Sequence, residues 1–322
     1  MSNGIKILSI GAMDKRVVEA LSARYDVYSD DVLGLDQIIA AHGNDIVGLV
    51  TRGRTRTTAA LIERLPKLEI IGNFGVGYDS VDVAAAAKRG IVVTNTPDVL
   101  NDEMADFTVG LMLATIRRFP QADRYVRTGQ WEGGQAFPLG ASLRGRKIGI
   151  AGMGRIGKVI AKRLDGFDIP VSVFMRRPSP DVRYPRHATL KSLAEAVDVL
   201  IVVLPGGAET KNIVNAEILE ALGPNGILIN VARGSVVDEE ALIEALQTSK
   251  ILAAGIDVFA AEPHVPEALR QMENVVLLPH IGTATHHTRG LMAQLVIDNV
   301  ISWFEGKGPL TPVVETPVPA RT

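Results

Sequence analysis

"IGIAGMGRIGKVIAKRL", residues 148 to 164, passes from a strand-like run into a helical one and carries Gly152, Gly154 and Gly157 in a G-x-G-x-x-G spacing. Glycines at these places permit a tight turn and a close backbone approach, while the helix N-terminus presents free amides to a pyrophosphate. The spacing alone is a weak signal, because a purely structural glycine turn shares it. Its context gives it weight: a strand precedes it, a helix follows, and five more strand-like runs lie beyond. The "GVG" at 75–77 lacks the third glycine and is no second copy.

Working outward, the strands of this region read "RKIGIAG" (146–152), "VSVFM" (171–175), "VLIVVLP" (199–205), "GILINVA" (226–232), "LAAGIDVF" (252–259) and "NVVLLP" (274–279). Six strands make a full dinucleotide-binding sheet. Upstream, "KILSIG" (6–11), "DVYS" (26–29), "IVGLVT" (46–51), "LEIIGNFG" (68–75) and "VVTN" (92–95) give a separate five-strand sheet. A helical pattern runs from Asn101 to about Gln121, with Met104, Phe107, Leu111 and Ala114 on one face. The Gly-rich stretch 127–145 has no period and reads as an arm or boundary. The last helix, about 286–305, precedes a Pro-rich tail and is available to pack back on the first sheet. Short strands alternating with helices argue for parallel sheets. The fold class is therefore α/β, with two Rossmann-like or flavodoxin-like open parallel-sheet domains and a cleft between them.

Length and composition set the limits. At 322 residues the chain exceeds the roughly 100–200 residues of one domain. Its 34 Lys plus Arg against 36 Asp plus Glu leave a net charge of -2, so no global field attracts nucleic acid or an anionic membrane. The absence of cysteine excludes disulfides, thiolate nucleophiles and thiolate metal sites, and fits a reducing cytoplasm. No signal-like start and no bilayer-length apolar run is present, so a soluble protein is expected.

Arg176 lies 19 residues beyond Gly157 and is followed by Arg177. An acid that holds a ribose hydroxyl is expected about 20 residues on in an NAD site. Two cations at that place suit the negative charge of a 2′-phosphate, which selects NADP (as NADPH) over NAD; a solvated turn is the plainer alternative. At the ends of later strands stand Arg233, Asp257 with Glu262 in the loop after it, and His280. Ligands of open parallel sheets lie beyond the carboxyl ends of the strands. An arginine fork, a carboxylate and an imidazole there suit reduction of a small 2-oxo acid. Arg233 would bind the carboxylate and carbonyl oxygen, His280 would donate the proton, and Glu262 would favour the charged imidazole.

The stretches "NFGVGYDSVDV", "TPDVLNDEMADFTVGLMLA", "GMGRIG", "VLP" with its downstream "ET", "NVARGSVVDEEAL", "AGIDVFAAEP" and "LLPHIGTAT" occur in this order. With them the chain resembles the D-isomer-specific 2-hydroxyacid dehydrogenase family along nearly its whole length. The resemblance implies catalytic roles for Arg233, Glu262 and His280, and substrate-carboxylate binding by the amides of Val76 and Gly77. It implies that Thr108 lies near the nicotinamide and that Asp257 binds the nicotinamide amide. The matching stretches place further cofactor contacts at Arg155, Ile156, Leu204, Pro205, Val231, Ala232 and Gly282. "TPDVLNDEMAD" with "ALGPNGILINVARGSVVDE" is similar to the NADPH-dependent glyoxylate and hydroxypyruvate reductase branch, which includes hydroxyphenylpyruvate reductases. The resemblance also implies a discontinuous substrate-binding domain, 1–98 plus 286–322, an NADP-binding domain, 99–285, and a homodimer built partly from a helix and arm at 101–145.

The basic loop "TRGRTRT" (51–57) departs from the pattern. Arg52 or Arg54 either faces the cleft and reads the substrate or belongs to a solvated charge run; Arg52 is carried as a substrate-binding candidate. No metal site is expected: His286 and His287 are adjacent and diverge around a helix, and His42, His187 and His264 have no recognisable partner. Other outcomes of the same scaffold are a different D-2-hydroxyacid dehydrogenase, an enzyme of formate or phosphite, or a nucleotide-sensing corepressor that binds protein partners.

Overall fold

Apolar, β-rich runs in the first hundred residues form five strands: β1 (Lys6–Ile10), β2 (Asp26–Ser29), β3 (Ile46–Arg52), β4 (Ile70–Phe74) and β5 (Val92–Thr94). All pair in parallel, in the order β2-β1-β3-β4-β5. Parallel strands need crossovers that cover both sheet faces, which is why β4 is buried at every residue instead of alternating. The computed structural model describes residues 4–53 and 55–316, and in it the chain divides into two compact units. One runs up to Leu100 and resumes at Ala284; the other is Asn101–Thr283.

The returning segment completes the first unit. Helix His286–Phe304 lies against β4, where Gly72 leaves room for Val296 and Val300. Trp303 donates its indole N–H to Glu69 Oε2 at 2.9 Å. Asn299, fully buried, accepts the N–H groups of Leu310 and Thr311, each at 2.9 Å, and so turns the chain back after the helix. Val313 then donates to the Val93 carbonyl, and the Thr316 hydroxyl accepts the Val93 N–H, both at 2.9 Å.

In the second unit the strands are β6 (Ile148–Ala151), β7 (Val171–Phe174), β8 (Arg186–His187), β9 (Val199–Val202), β10 (Ile227–Asn230), β11 (Ala253–Ile256) and β12 (Val275–Leu277). Their order is β12-β11-β10-β9-β6-β7-β8. The sheet thus has seven strands, one more than the sequence pattern suggests. The addition, β8, is two polar residues on the edge beside β7, too short and too hydrophilic to show a period. Strand order reverses between β9 and β6, and the carboxyl end of β6 carries the glycine turn.

The long helix expected from Asn101 to about Gln121 is two helices, Asn101–Arg117 and Phe119–Arg127. Arg118 between them is left-handed, with φ 57°. Pro120 supplies the reason, since it has no N–H to continue the first helix and its ring crowds the preceding turn. Thr115 and Leu111 of the first helix fill the space above Gly255 of β11. Residues 128–147 contain no helix or strand. Among the described residues no helix is long and apolar enough to cross a membrane, and no group of three metal-binding side chains occurs.

Replacing Asn299 with Ala should leave two part-buried N–H groups without their acceptor. A loss of about 1–3 kcal/mol is expected, read as a lower urea midpoint for the transition of the first unit.

Candidate active site

The glycine turn fits a dinucleotide for reasons visible at each position. Gly152 has φ +112°, and a Cβ there would lie 2.8 Å from the Val203 carbonyl oxygen. A Cβ on Gly157 would lie 2.0 Å from the Gly152 oxygen, so helix and turn touch backbone to backbone. Gly154 is the N-cap of helix Arg155–Leu164, and it supplies no side-chain cap to the first-turn amides. These amides and the open space at Gly154 form a cradle of the kind that receives phosphate.

Arg176 and Arg177 follow β7 and are exposed. Their loop is fastened at several points. Arg186 Nε donates to the Met175 carbonyl at 3.2 Å, Lys158 pairs with Asp181, and Arg183 pairs with Asp165. Arg176 itself forms an ion pair with Glu209, a contact that the sequence reading did not anticipate. Leu204 and Pro205 end the β9 run, and the Pro205 carbonyl accepts the Thr210 hydroxyl at 2.7 Å. Ile156 lies in the first turn of the glycine-loop helix, and Arg155 opens it.

Around the ends of β10, β11 and β12 the remaining residues form one connected cluster. Val231, Ala232 and Arg233 follow β10. Asn230 knits their turn, accepting the Ala232 N–H at 3.1 Å and donating to the Arg233 carbonyl at 3.2 Å. The Arg233 guanidinium donates to the Ala232 carbonyl at 2.8 Å. A Cβ on Gly234 would fall 1.9 Å from the Phe259 carbonyl carbon, so the arginine turn is pressed directly onto the loop after β11. In that loop Glu262 Oε1 accepts the Phe259 N–H at 3.1 Å, and Oε2 lies 2.8 Å from His280 Nδ1. The Glu262 side chain is 15% exposed and that of His280 36%. With the proton on Nδ1, the ring donates to this carboxylate and Nε2 is the second ring nitrogen.

Asp257, 1% exposed, holds this arrangement from below. Its Oδ1 accepts the Ile281 N–H at 2.8 Å and its Oδ2 the Gly282 N–H at 3.0 Å. Burial pushes its carboxyl above the ordinary range, and the two backbone donors oppose that shift. His280 has φ 60°, a left-handed conformation that costs a non-glycine residue about 1–3 kcal/mol, and the clamp fixes the two residues after it. Gly282 also meets Met104, where a Cβ would come within 2.7 Å of the sulfur. Thr108, one helical turn on from Met104 and buried, donates its hydroxyl to the Met104 carbonyl at 2.6 Å.

Three expected residues belong to the first unit. Asn95 donates to the Val76 carbonyl at 2.9 Å, and Asn73 donates to the carbonyls of Gly75 at 3.0 Å and Gly77 at 3.1 Å, so the turn after β4 is held through its carbonyls. Arg52, at the end of β3, donates to the Ala12 carbonyl at 3.4 Å, and its guanidinium lies 5.9 Å from the Phe74 ring centroid. Arg289 approaches the same ring at 5.6 Å. Arg54 lies outside the described residues.

An open parallel sheet with a glycine turn at its strand-order reversal, and an Arg, Glu–His cluster at neighbouring strand ends, defines a nucleotide-dependent oxidoreductase of the two-domain dehydrogenase type. The model of the D-isomer specific 2-hydroxyacid dehydrogenase NAD-binding domain matches residues 109–282, and the chain belongs to that family. It is 46% identical over 277 residues to a glyoxylate/hydroxypyruvate reductase A of Arabidopsis thaliana, covering 86% of this chain and 88% of the relative. Identity is also 46%, over 276 residues, to a hydroxyphenylpyruvate reductase of Plectranthus scutellarioides, covering 86% and 88%. Among solved structures, the NADPH-dependent glyoxylate/hydroxypyruvate reductase of Sinorhizobium meliloti in complex with NADP and malonate superposes with a TM-score of 0.93 at 47% identity, covering 99% of this chain and 100% of that one. The chain is an oxidoreductase that binds a nucleotide cofactor.

Gly234→Ala should force the arginine turn off the Phe259 backbone. A destabilisation of about 1–3 kcal/mol is expected, measured as a lowered thermal midpoint; a midpoint equal to that of the parent protein would contradict the close packing.

Proposed function

We propose that this protein is an NADPH-dependent reductase of small 2-oxo acids, converting glyoxylate to glycolate and hydroxypyruvate to D-glycerate. The observation that carries the reading is the 2.8 Å contact between Glu262 and His280 Nδ1, joined through Phe259 and Gly234 to the turn bearing Arg233. Bound NADPH supplies the hydride.

Each side chain then has a task. Arg233 presents a rigid fork of donors that grips the substrate carboxylate and polarises the adjacent carbonyl. His280, protonated on both nitrogens at the start, gives the Nε2 proton to the carbonyl oxygen as negative charge develops there. Glu262 keeps the Nδ1 proton in place and stabilises the imidazolium before transfer. The amides of Val76 and Gly77 supply further donors to the carboxylate, and Arg52 reads the far end of the substrate. Asp257 and Thr108 adjoin the nicotinamide end of the cofactor. Gly152, Gly154, Arg155, Ile156 and Gly157 cradle the pyrophosphate, with Leu204, Pro205, Val231, Ala232 and Gly282 as walls.

Arg176 and Arg177 support NADP over NAD, because guanidinium groups attract a 2′-phosphate that an acid would repel. The 1–98 and 286–322 segments are read as the substrate-binding domain and 99–285 as the NADP-binding domain. We also propose a homodimer in the cytoplasm. Phe119, Val126, Trp131 and Leu139, all large apolar side chains exposed between residues 119 and 139, support the dimer reading.

Loss of NADPH absorbance with glyoxylate and hydroxypyruvate tests the reading, with pyruvate and hydroxyphenylpyruvate as comparison substrates. Turnover with none of the four would favour a non-enzymatic nucleotide sensor, and turnover with hydroxyphenylpyruvate alone would shift the substrate assignment. His280→Ala should lower kcat by roughly 10²–10⁴-fold while nucleotide binding stays measurable. Arg176→Asp should raise KM for NADPH by about ten- to a hundredfold, the worth of one charge-assisted hydrogen bond, with a much smaller effect on NADH; equal effects would remove Arg176 from phosphate recognition.

A further inference from the structure

Strand order places the Arg176–Glu209 pair directly across the mouth of the glycine turn. β6 lies between β9 and β7. Arg176 leaves the end of β7, and Glu209 stands in the turn Ala208–Thr210 beyond β9, so the pair, 33 residues apart in sequence, reaches over the carboxyl end of β6. Both partners sit on fixed supports. Thr210 is buried, donates its hydroxyl to the Pro205 carbonyl at 2.7 Å, and donates its N–H to the Gly207 carbonyl at 3.2 Å. The Arg176 loop is held by the Arg186–Met175, Lys158–Asp181 and Arg183–Asp165 contacts.

We propose that Glu209 is a cofactor-specificity residue: it pairs with Arg176, opposes a ribose 2′-phosphate by charge, and accepts a free 2′-hydroxyl. The inference rests on the NADPH reading above and deepens it. A carboxylate is an acceptor only, and so is an ionised phosphate; the two compete for one guanidinium and repel each other. A ribose hydroxyl is a donor and suits the same carboxylate. Arg176, with Arg177 close enough to act by charge, holds the Glu209 carboxyl below its usual range, so it is ionised at neutral pH. The chain therefore carries, beside the arginines that favour NADPH, an acid that works against them and leaves room for NADH.

The test uses two probes that differ only in the group at issue, adenosine 2′,5′-bisphosphate and 5′-AMP, titrated calorimetrically into the full-length protein. In the parent protein the bisphosphate should bind more tightly. In both Glu209→Gln and Glu209→Ala the ratio of the 5′-AMP to bisphosphate dissociation constants should rise roughly two- to fivefold, the range of an exposed ion pair. The same variants should widen the ratio of KM for NADH to KM for NADPH. A parent protein that binds both probes equally would remove the NADPH reading and this inference with it. A parent preference for the bisphosphate that neither variant widens would overturn the inference alone.

Discussion

Asp257 is the side chain that ties the loop after β12 to the end of β11 and so holds the candidate site together. It is almost wholly buried, yet its two oxygens are met by two backbone N–H groups, those of Ile281 and Gly282. Without those donors a carboxylate in that position would be desolvated and uncompensated. With them it becomes a bracket that pins the chain leaving His280. The imidazole stands on a left-handed backbone, a conformation its own side chain does not favour, and tertiary hydrogen bonds keep it there. Glu262 then meets a ring whose place is already fixed.

Rigid support recurs wherever a candidate catalytic group sits in this unit. Asn230 closes the turn that carries Arg233, Gly234 lets that turn lie on the Phe259 backbone, and Glu262 spans Phe259 and His280. Pre-organisation of this kind matters because a donor aimed in advance at developing charge needs no reorganisation when the charge appears. The arginine loop after β7 follows another logic. Its anchors are exposed ion pairs of small individual worth. Exposed pairs of this kind adjust easily, whereas the partly buried Glu262–His280 contact is held in place from several sides.

Much of this was legible in the linear chain. Period and apolar runs located the five strands of one sheet and six strands of the other, because parallel strands buried on both faces write continuous hydrophobic runs. The edge strand Arg186–His187 left no such run. The helix break at Arg118 is marked in the sequence only by Pro120, because a left-handed residue leaves no mark on apolar spacing. Arg233, Glu262 and His280 stood out because each follows a strand at the end where open sheets bind ligands.

By itself, then, the sequence determined the class of fold, the glycine turn and the identity of the polar groups at the strand ends, all of which are written in local spacing. Tertiary structure decided which of those groups touch. The Asp257 bracket closes over 24 residues and the Arg176–Glu209 pair over 33. Strand order alone brings such distant residues together, because hydrogen bonding between neighbouring strands, which no local pattern encodes, sets which loops share one end of the sheet.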